Sequence, residues 1–156
     1  MPAKKMAIIA TKGTLDMAYP PLILASTAAS LGWDVQIFFT FYGLQLLRKD
    51  LSGIKISPLA NPAMPMPVPM PVMVAALPGM EAMATSMMKA KMRKKGVASL
   101  TELRDLCLEA DVKFIACQMT VDLFEFSRGE FIDGIEYGGA ATFMKFAGET
   151  DVCLFI

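Results

Sequence analysis

The chain has 156 residues, the usual size of one folding unit, and its fifteen basic residues balance fifteen acidic ones. Bulk charge therefore gives no reason to expect nucleic acid or a strongly charged membrane as a partner. Histidine is absent, which excludes Ser-His-Asp and Cys-His mechanisms and imidazole metal sites, so chemistry must come from Cys, carboxylates, Lys, Tyr, backbone amides or a cofactor.

The apolar share, 54%, is high for a soluble domain and suggests a buried parallel sheet or surfaces covered by other subunits. A homo-oligomer is expected. Three cysteines without regular spacing make no disulfide framework, and Lys4 and Lys5 precede too short an apolar run for a secretion signal. A reducing cytoplasm fits.

Met6 to Thr11 reads as a buried first strand. Pro20-Pro21 suit a helix's first turn, where missing amides cost little, and Leu22 to Leu31 continues that helix to Gly32. Asp34 to Thr40 is a second strand. Phe41 to Leu51 follows as a helix with Leu44, Leu47 and Leu51 on one stripe, then a short strand around Ile54 to Ile56. Strand and helix alternate, which predicts an α/β domain with a mainly parallel sheet.

From Ser57 to Met80 the chain has no charge and seven of its ten prolines, so it reads as an extended apolar loop. Alternating prolines remove donors a spanning helix needs, which leaves peripheral membrane contact rather than a transmembrane segment. Met80 to Lys95 has helical spacing with Met80, Met83, Met87 and Met88 on one face. Lys89, Lys91, Arg93, Lys94 and Lys95 make its end basic, able to dock an acidic protein or steer a small anion. A solvated helix end explains the same residues.

Ser99 and Glu102 form a capping box for a helix whose apolar side carries Leu100, Leu103, Leu106, Cys107 and Ala110, which makes Cys107 a packing residue. Val112 to Cys117 is a strand, Thr120 to Phe126 a short helix, Ala140 to Phe146 another helix, and Asp151 to Ile156 the last strand. The whole chain, 1–156, reads as one domain with a Met/Pro-rich insertion and basic helix at about 57–96.

Cys117 falls where a parallel strand hands over to a helix, the edge at which unpaired amides face a ligand. The turn of Gln118, Met119 and Thr120, with Thr120 as N-cap, would favour a thiolate and an anionic sulfur species on it without a base. Asp122 opposes this if its carboxylate points at the sulfur. A small buried hydrophobe at a strand end is the alternative for the same cysteine.

Ile-Ala-Cys-Gln-Met-Thr-Val-Asp-Leu closing a strand, the opening Ile-Ile-Ala-Thr-Lys-Gly-Thr-Leu-Asp and the later Tyr-Gly-Gly-Ala-Ala resemble the DsrE/DsrF-like family over nearly the whole chain. The Met/Pro insertion and basic Met helix resemble the branch often encoded with rhodanese and TusA-type sulfur carriers. The resemblance implies a three-layer flavodoxin-like fold, homo-oligomeric assembly, and a cysteine at the position of Cys117 that accepts sulfane sulfur or thiosulfate and passes it to a partner. It implies a sulfurtransferase-like carrier working through a persulfide or thiosulfonate, with TusA-type or rhodanese-type proteins and small sulfur anions as partners.

Gly13-Thr14 after the first strand and Gly138-Gly139 are further candidates to line the terminal sulfur, although turn geometry accounts for both. Thr11 to Asp16 loosely resembles a flavodoxin phosphate loop but lacks its hydroxyls and glycines, so no cofactor is expected; a flavin-binding electron-transfer module is the alternative. Met64, Met66, Met70 and Met73 could gather around Cu(I), yet methionine also packs at interfaces, and no metal is expected. A membrane-associated scaffold built on the Met/Pro loop is the third reading.

Overall fold

The computed structural model describes residues 1–66 and 68–156. Five strands form one sheet in the order β4-β3-β2-β1-β5, every pair parallel: β1 (Lys5–Ala10), β2 (Asp34–Phe39), β3 (Lys113–Cys117), β4 (Glu136–Gly138) and β5 (Val152–Phe155). The helices are α1 (Leu15–Ser30), α2 (Val72–Ala75), α3 (Met80–Lys94), α4 (Leu100–Glu109), α5 (Gln118–Leu123) and α6 (Ala140–Ala147). The expected α/β architecture with a parallel sheet is present.

Side chains alternate across each strand, so the sheet has two unequal faces. Met6, Ile8, Val35, Ile37, Phe39, Phe114 and Ala116 face the large core built with α1 and α4. Ala7, Phe38, Ile115 and Cys117 face the other way, onto Phe143 of α6, whose ring stacks on Phe38 at 4.9 Å. The sheet thus separates Cys107 of α4, fully buried in the large core, from Cys117 on the α6 face.

Several boundaries differ from the sequence expectation. Helix α1 starts at Leu15, so Pro20 and Pro21 lie inside it. Burial of Leu15, Ala18, Tyr19, Leu22 and Ala25 forms one continuous stripe across the prolines, and that packing outweighs two missing i→i−4 bonds. Phe41 to Leu47 is a 3-10 helix rather than an α-helix reaching Leu51, although Leu44, Leu47 and Leu51 are all buried as expected. Arg48 then bridges antiparallel to Phe131, which ends the winding.

Ile54 to Ile56 is no strand. Lys55 carbonyl accepts the amide of Leu15 at 2.9 Å, and the amide of Ile56 donates to Thr85 Oγ1 at 3.0 Å, so these groups go to helices instead of a ladder. No local signal marks the three-residue β4, because Glu-Tyr-Gly carries no apolar alternation of its own. On α4 the Ser99–Glu102 capping box is present, but Leu106 is exposed and Arg104 buried in its place. Within the Met/Pro stretch, four residues form α2, which touches α3.

Candidate functional site

Cys117 ends β3 and is itself the N-cap of α5, with φ −67° and ψ 109°; Thr120 is not the cap but lies inside the helix, completely buried. The reason is register: β3 pairs with β4 through Cys117↔Gly138 and with β2 through Ala116↔Phe39, so the strand persists to Cys117 and the helix begins immediately after it. One step beyond Phe39, Thr40 therefore stands beside Cys117 on the same face.

These neighbours make a donor cluster around a thiol that is only 4% exposed. Burial alone pushes the Cys117 thiol up. It is outweighed by hydrogen bonds from the Thr120 hydroxyl and amide, the Thr40 hydroxyl and the Met119 amide, which together hold it below the ordinary thiol value. The hydroxyls of Thr40 and Thr120 lie 3.2 Å apart, and Thr120 Oγ1 accepts the amide of Phe41 at 3.2 Å. A hydroxyl has two lone pairs and one proton, so Thr120 Oγ1 can accept the Phe41 amide and still turn its proton to the sulfur.

Phe41 reaches that position with φ +49°, a left-handed conformation disfavoured by about 1 kcal/mol or more for a side chain with Cβ. Two residues on, a Cβ on Gly43 would sit 2.1 Å from the carbonyl oxygen of Ala10, so only glycine lets the segment pass β1.

Asp122 is engaged by its own helix and the turn beyond it. Its Oδ1 accepts Gln118 Nε2 at 2.7 Å, and Gln118 Oε1 accepts Arg128 NH2 at 2.8 Å, with the Arg128 guanidinium 4.0 Å over the ring of Tyr137. This polar chain lies on the exposed side of α5.

The other candidates are distributed as follows. Gly138 is beside Cys117 in the ladder, and Gly139 is the exposed N-cap of α6. Gly13 and Thr14 line a separate cavity of about 850 Å³ with Gln45, Arg48 and Glu130, and Cys117 is not among its lining residues. At Gly13 a Cβ would lie 2.5 Å from Tyr42 oxygen, a steric reason for the glycine. Lys91, Arg93, Lys94 and Lys95 are exposed, and Lys89 Nζ reaches Ser52 oxygen at 3.4 Å. Trp33 packs at the opposite end of the sheet with Lys4 Nζ 5.4 Å over its ring, remote from the Thr11–Asp16 loop. Among the described residues no helix is long and apolar enough to cross a membrane.

Neither remaining cysteine can work with Cys117. Cys107 lies behind the sheet, and burial pushes its thiol up to about 12. Cys153 is exposed on the edge strand β5, and its register partners Ala7, Gln36 and Lys113 place it three strands across and four residues below Cys117. At about 4.8 Å per strand and about 3.3 Å per residue the two are roughly 20 Å apart. Iodoacetamide at neutral pH is expected to alkylate Cys153 readily and to leave Cys107 untouched until the protein unfolds; early labelling of Cys107 in folded protein would contradict this.

Thr40 and Phe41 were not singled out from the sequence, although Thr40 ends a parallel strand at the edge where Cys117 does. Thr120→Val removes one donor to the sulfur. The pH at which Cys117 reacts with iodoacetamide is expected to rise, giving severalfold slower labelling at neutral pH and equal rates at high pH, where both thiols are ionised. An unchanged pH profile would mean that the hydroxyl does not touch the thiolate.

Residues 2–155 match the model of the DsrE/DsrF/DrsH-like family. The chain is 65% identical over the full length of both proteins to the sulfur carrier protein DsrE2 of Allochromatium vinosum. It is 34% identical to the uncharacterized protein YrkE of Bacillus subtilis, covering 98% of this chain and 97% of that one. In structure it is similar to the ychN protein from E. coli, with a TM-score of 0.62 and 13% identity over 98% of this chain and 99% of the other. Parallel order, the strand-end cysteine and the match along nearly every residue agree: the chain belongs to the DsrE/DsrF/DrsH-like family.

Proposed function

We propose that this protein is a cytoplasmic sulfur carrier that holds sulfane sulfur covalently on Cys117 and hands it to an acceptor thiol. The observation that carries the reading is the donor cluster of Thr40, Met119 and Thr120 around Cys117, which favours the thiolate in a chain that has no histidine to act as base. The relative's name, sulfur carrier protein, supports the same chemistry.

In loading, the Cys117 thiolate attacks a sulfane sulfur of polysulfide; the new Sγ–sulfur bond forms as the attacked sulfur–sulfur bond breaks, and the shortened polysulfide leaves with the electron pair. With tetrathionate the same attack leaves a thiosulfonate on Cys117 and releases thiosulfate. Backbone amides of Met119 and Thr120, with Gly138 beside Cys117 in the ladder and an open side at Gly139, suit an anionic terminal sulfur. Rhodanese-type and TusA-type proteins are the expected protein partners, and small sulfur anions serve as alternative donors. A homo-oligomer is part of the proposal, because α6 alone covers its sheet face and leaves Met144 and Phe155 exposed.

Peptide-mapped mass spectrometry after incubation with polysulfide tests the reading. The Cys117 peptide is expected to gain the mass of one or more sulfur atoms, reversibly by dithiothreitol. Modification confined to Cys107 or Cys153 would overturn the site assignment.

A further inference from the structure

Around the sulfur the surface is apolar rather than cationic. Met119 (61% exposed) and Leu123 (59%) are four residues apart on α5 and so share one stripe, between the polar Gln118–Asp122 stripe and the Thr120–Phe124 stripe that faces the 3-10 helix. There Phe41 (42%) and Tyr42 (63%) continue the patch: Tyr42 stacks on Phe124 at 6.0 Å between ring centroids, and Phe41 meets Phe124 edge-on at 6.2 Å. Arg128, in the turn that follows α5, is taken up by Gln118 and Tyr137.

We propose that Phe41, Tyr42, Met119, Leu123 and Phe124 form the docking surface for the acceptor, and that the acceptor is a protein whose cysteine is flanked by apolar side chains. This rests on the sulfur-carrier reading of Cys117. Any acceptor thiolate must approach within bonding distance of the sulfur carried by Cys117, so the patch is covered whenever transfer occurs. A second copy seated there permanently would seal the thiol, and a free sulfur anion would gain nothing from five apolar side chains. Phe41 links both roles, since its amide binds Thr120 Oγ1 while its ring faces outward.

In the transfer the acceptor thiolate attacks the outer sulfur of the Cys117 persulfide. The acceptor–sulfur bond forms as the Sγ–sulfur bond breaks, the electron pair returns to Sγ as thiolate, and no oxidant or reductant is consumed.

The test loads the full chain with polysulfide, removes the excess, and follows loss of sulfur from Cys117 by mass spectrometry with two peptide acceptors. One is a short peptide whose central cysteine is flanked by leucine and phenylalanine; the other carries glycine and serine there. The apolar-flanked peptide is expected to accept sulfur about tenfold faster. Leu123→Glu and Tyr42→Ser should each bring that ratio close to one while leaving the rate to the glycine/serine peptide unchanged.

A ratio near one in the unmodified protein, or a ratio that survives both substitutions, overturns the docking surface. So does conversion of Leu123→Glu to a smaller assembly in size-exclusion chromatography, which would assign the patch to a second copy. Failure of polysulfide to load Cys117 at all is a separate readout, and it removes the sulfur-carrier reading together with this one.

Discussion

Cys117→Ser is expected to reduce sulfur loading to background, a complete loss rather than a slowing. A hydroxyl at this position is neither acidic enough to be an anion nor soft enough to hold sulfane sulfur. No other thiol can substitute. Cys107 lies behind the sheet with its proton held to about pH 12, and Cys153 is at the far edge strand. The exchange also leaves the fold intact, because Cys117 occupies an N-cap, where serine is among the preferred residues, so the stability change should stay within about 1 kcal/mol. Mass spectrometry on the folded variant checks the loss, and a denaturation curve checks the fold. Persistent loading of a folded Cys117→Ser protein would move the chemistry to another cysteine.

Arg104→Ala is expected to produce the largest change in stability. The Arg104 side chain is almost fully buried, and its guanidinium donates to the carbonyls of Leu46, at 2.9 Å, and Arg48, the last turn of the 3-10 helix. Burial pushes its pKa down and Asp105 opposes that, yet among the described residues no carboxylate pairs with it, and Nε has no partner there. The cation instead serves as a cap for helix-end carbonyls, where positive charge is favoured. Truncation to alanine leaves those acceptors unsatisfied and opens a cavity, for a loss of about 3 kcal/mol.

Arg104→Met separates the two contributions. It refills the volume and removes the expense of burying a charge, so only about 1 kcal/mol should be lost. Urea denaturation midpoints at constant slope measure both. A methionine variant as unstable as the alanine one would assign the whole effect to the capping bonds. Because the capped segment also carries Phe41 and Tyr42, the alanine variant should load Cys117 more slowly at neutral pH as well.

Local patterning by itself determined a good deal about this protein. Alternating strand and helix signals specified an α/β domain with a parallel sheet, Ser99 and Glu102 announced the start of α4, and the absence of histidine excluded imidazole-based mechanisms. Such features depend on neighbours within a turn or two of chain, which periodicity and capping chemistry report directly. Even the strand-end position of Cys117 was legible, because a strand followed at once by a helix marks its own end.

Tertiary structure decided what surrounds that cysteine. Thr40 and Thr120 are eighty positions apart, and only the parallel register of β2 with β3 brings their hydroxyls to one sulfur. Asp122 is held by a bond to Gln118, which in turn accepts from Arg128, a partner that no helical spacing predicts. Helix α1 runs through two prolines because its buried stripe outweighs them, and β4 is a strand only because β3 stands beside it. Burial and long-range pairing set these outcomes, and neither is encoded in a window of sequence.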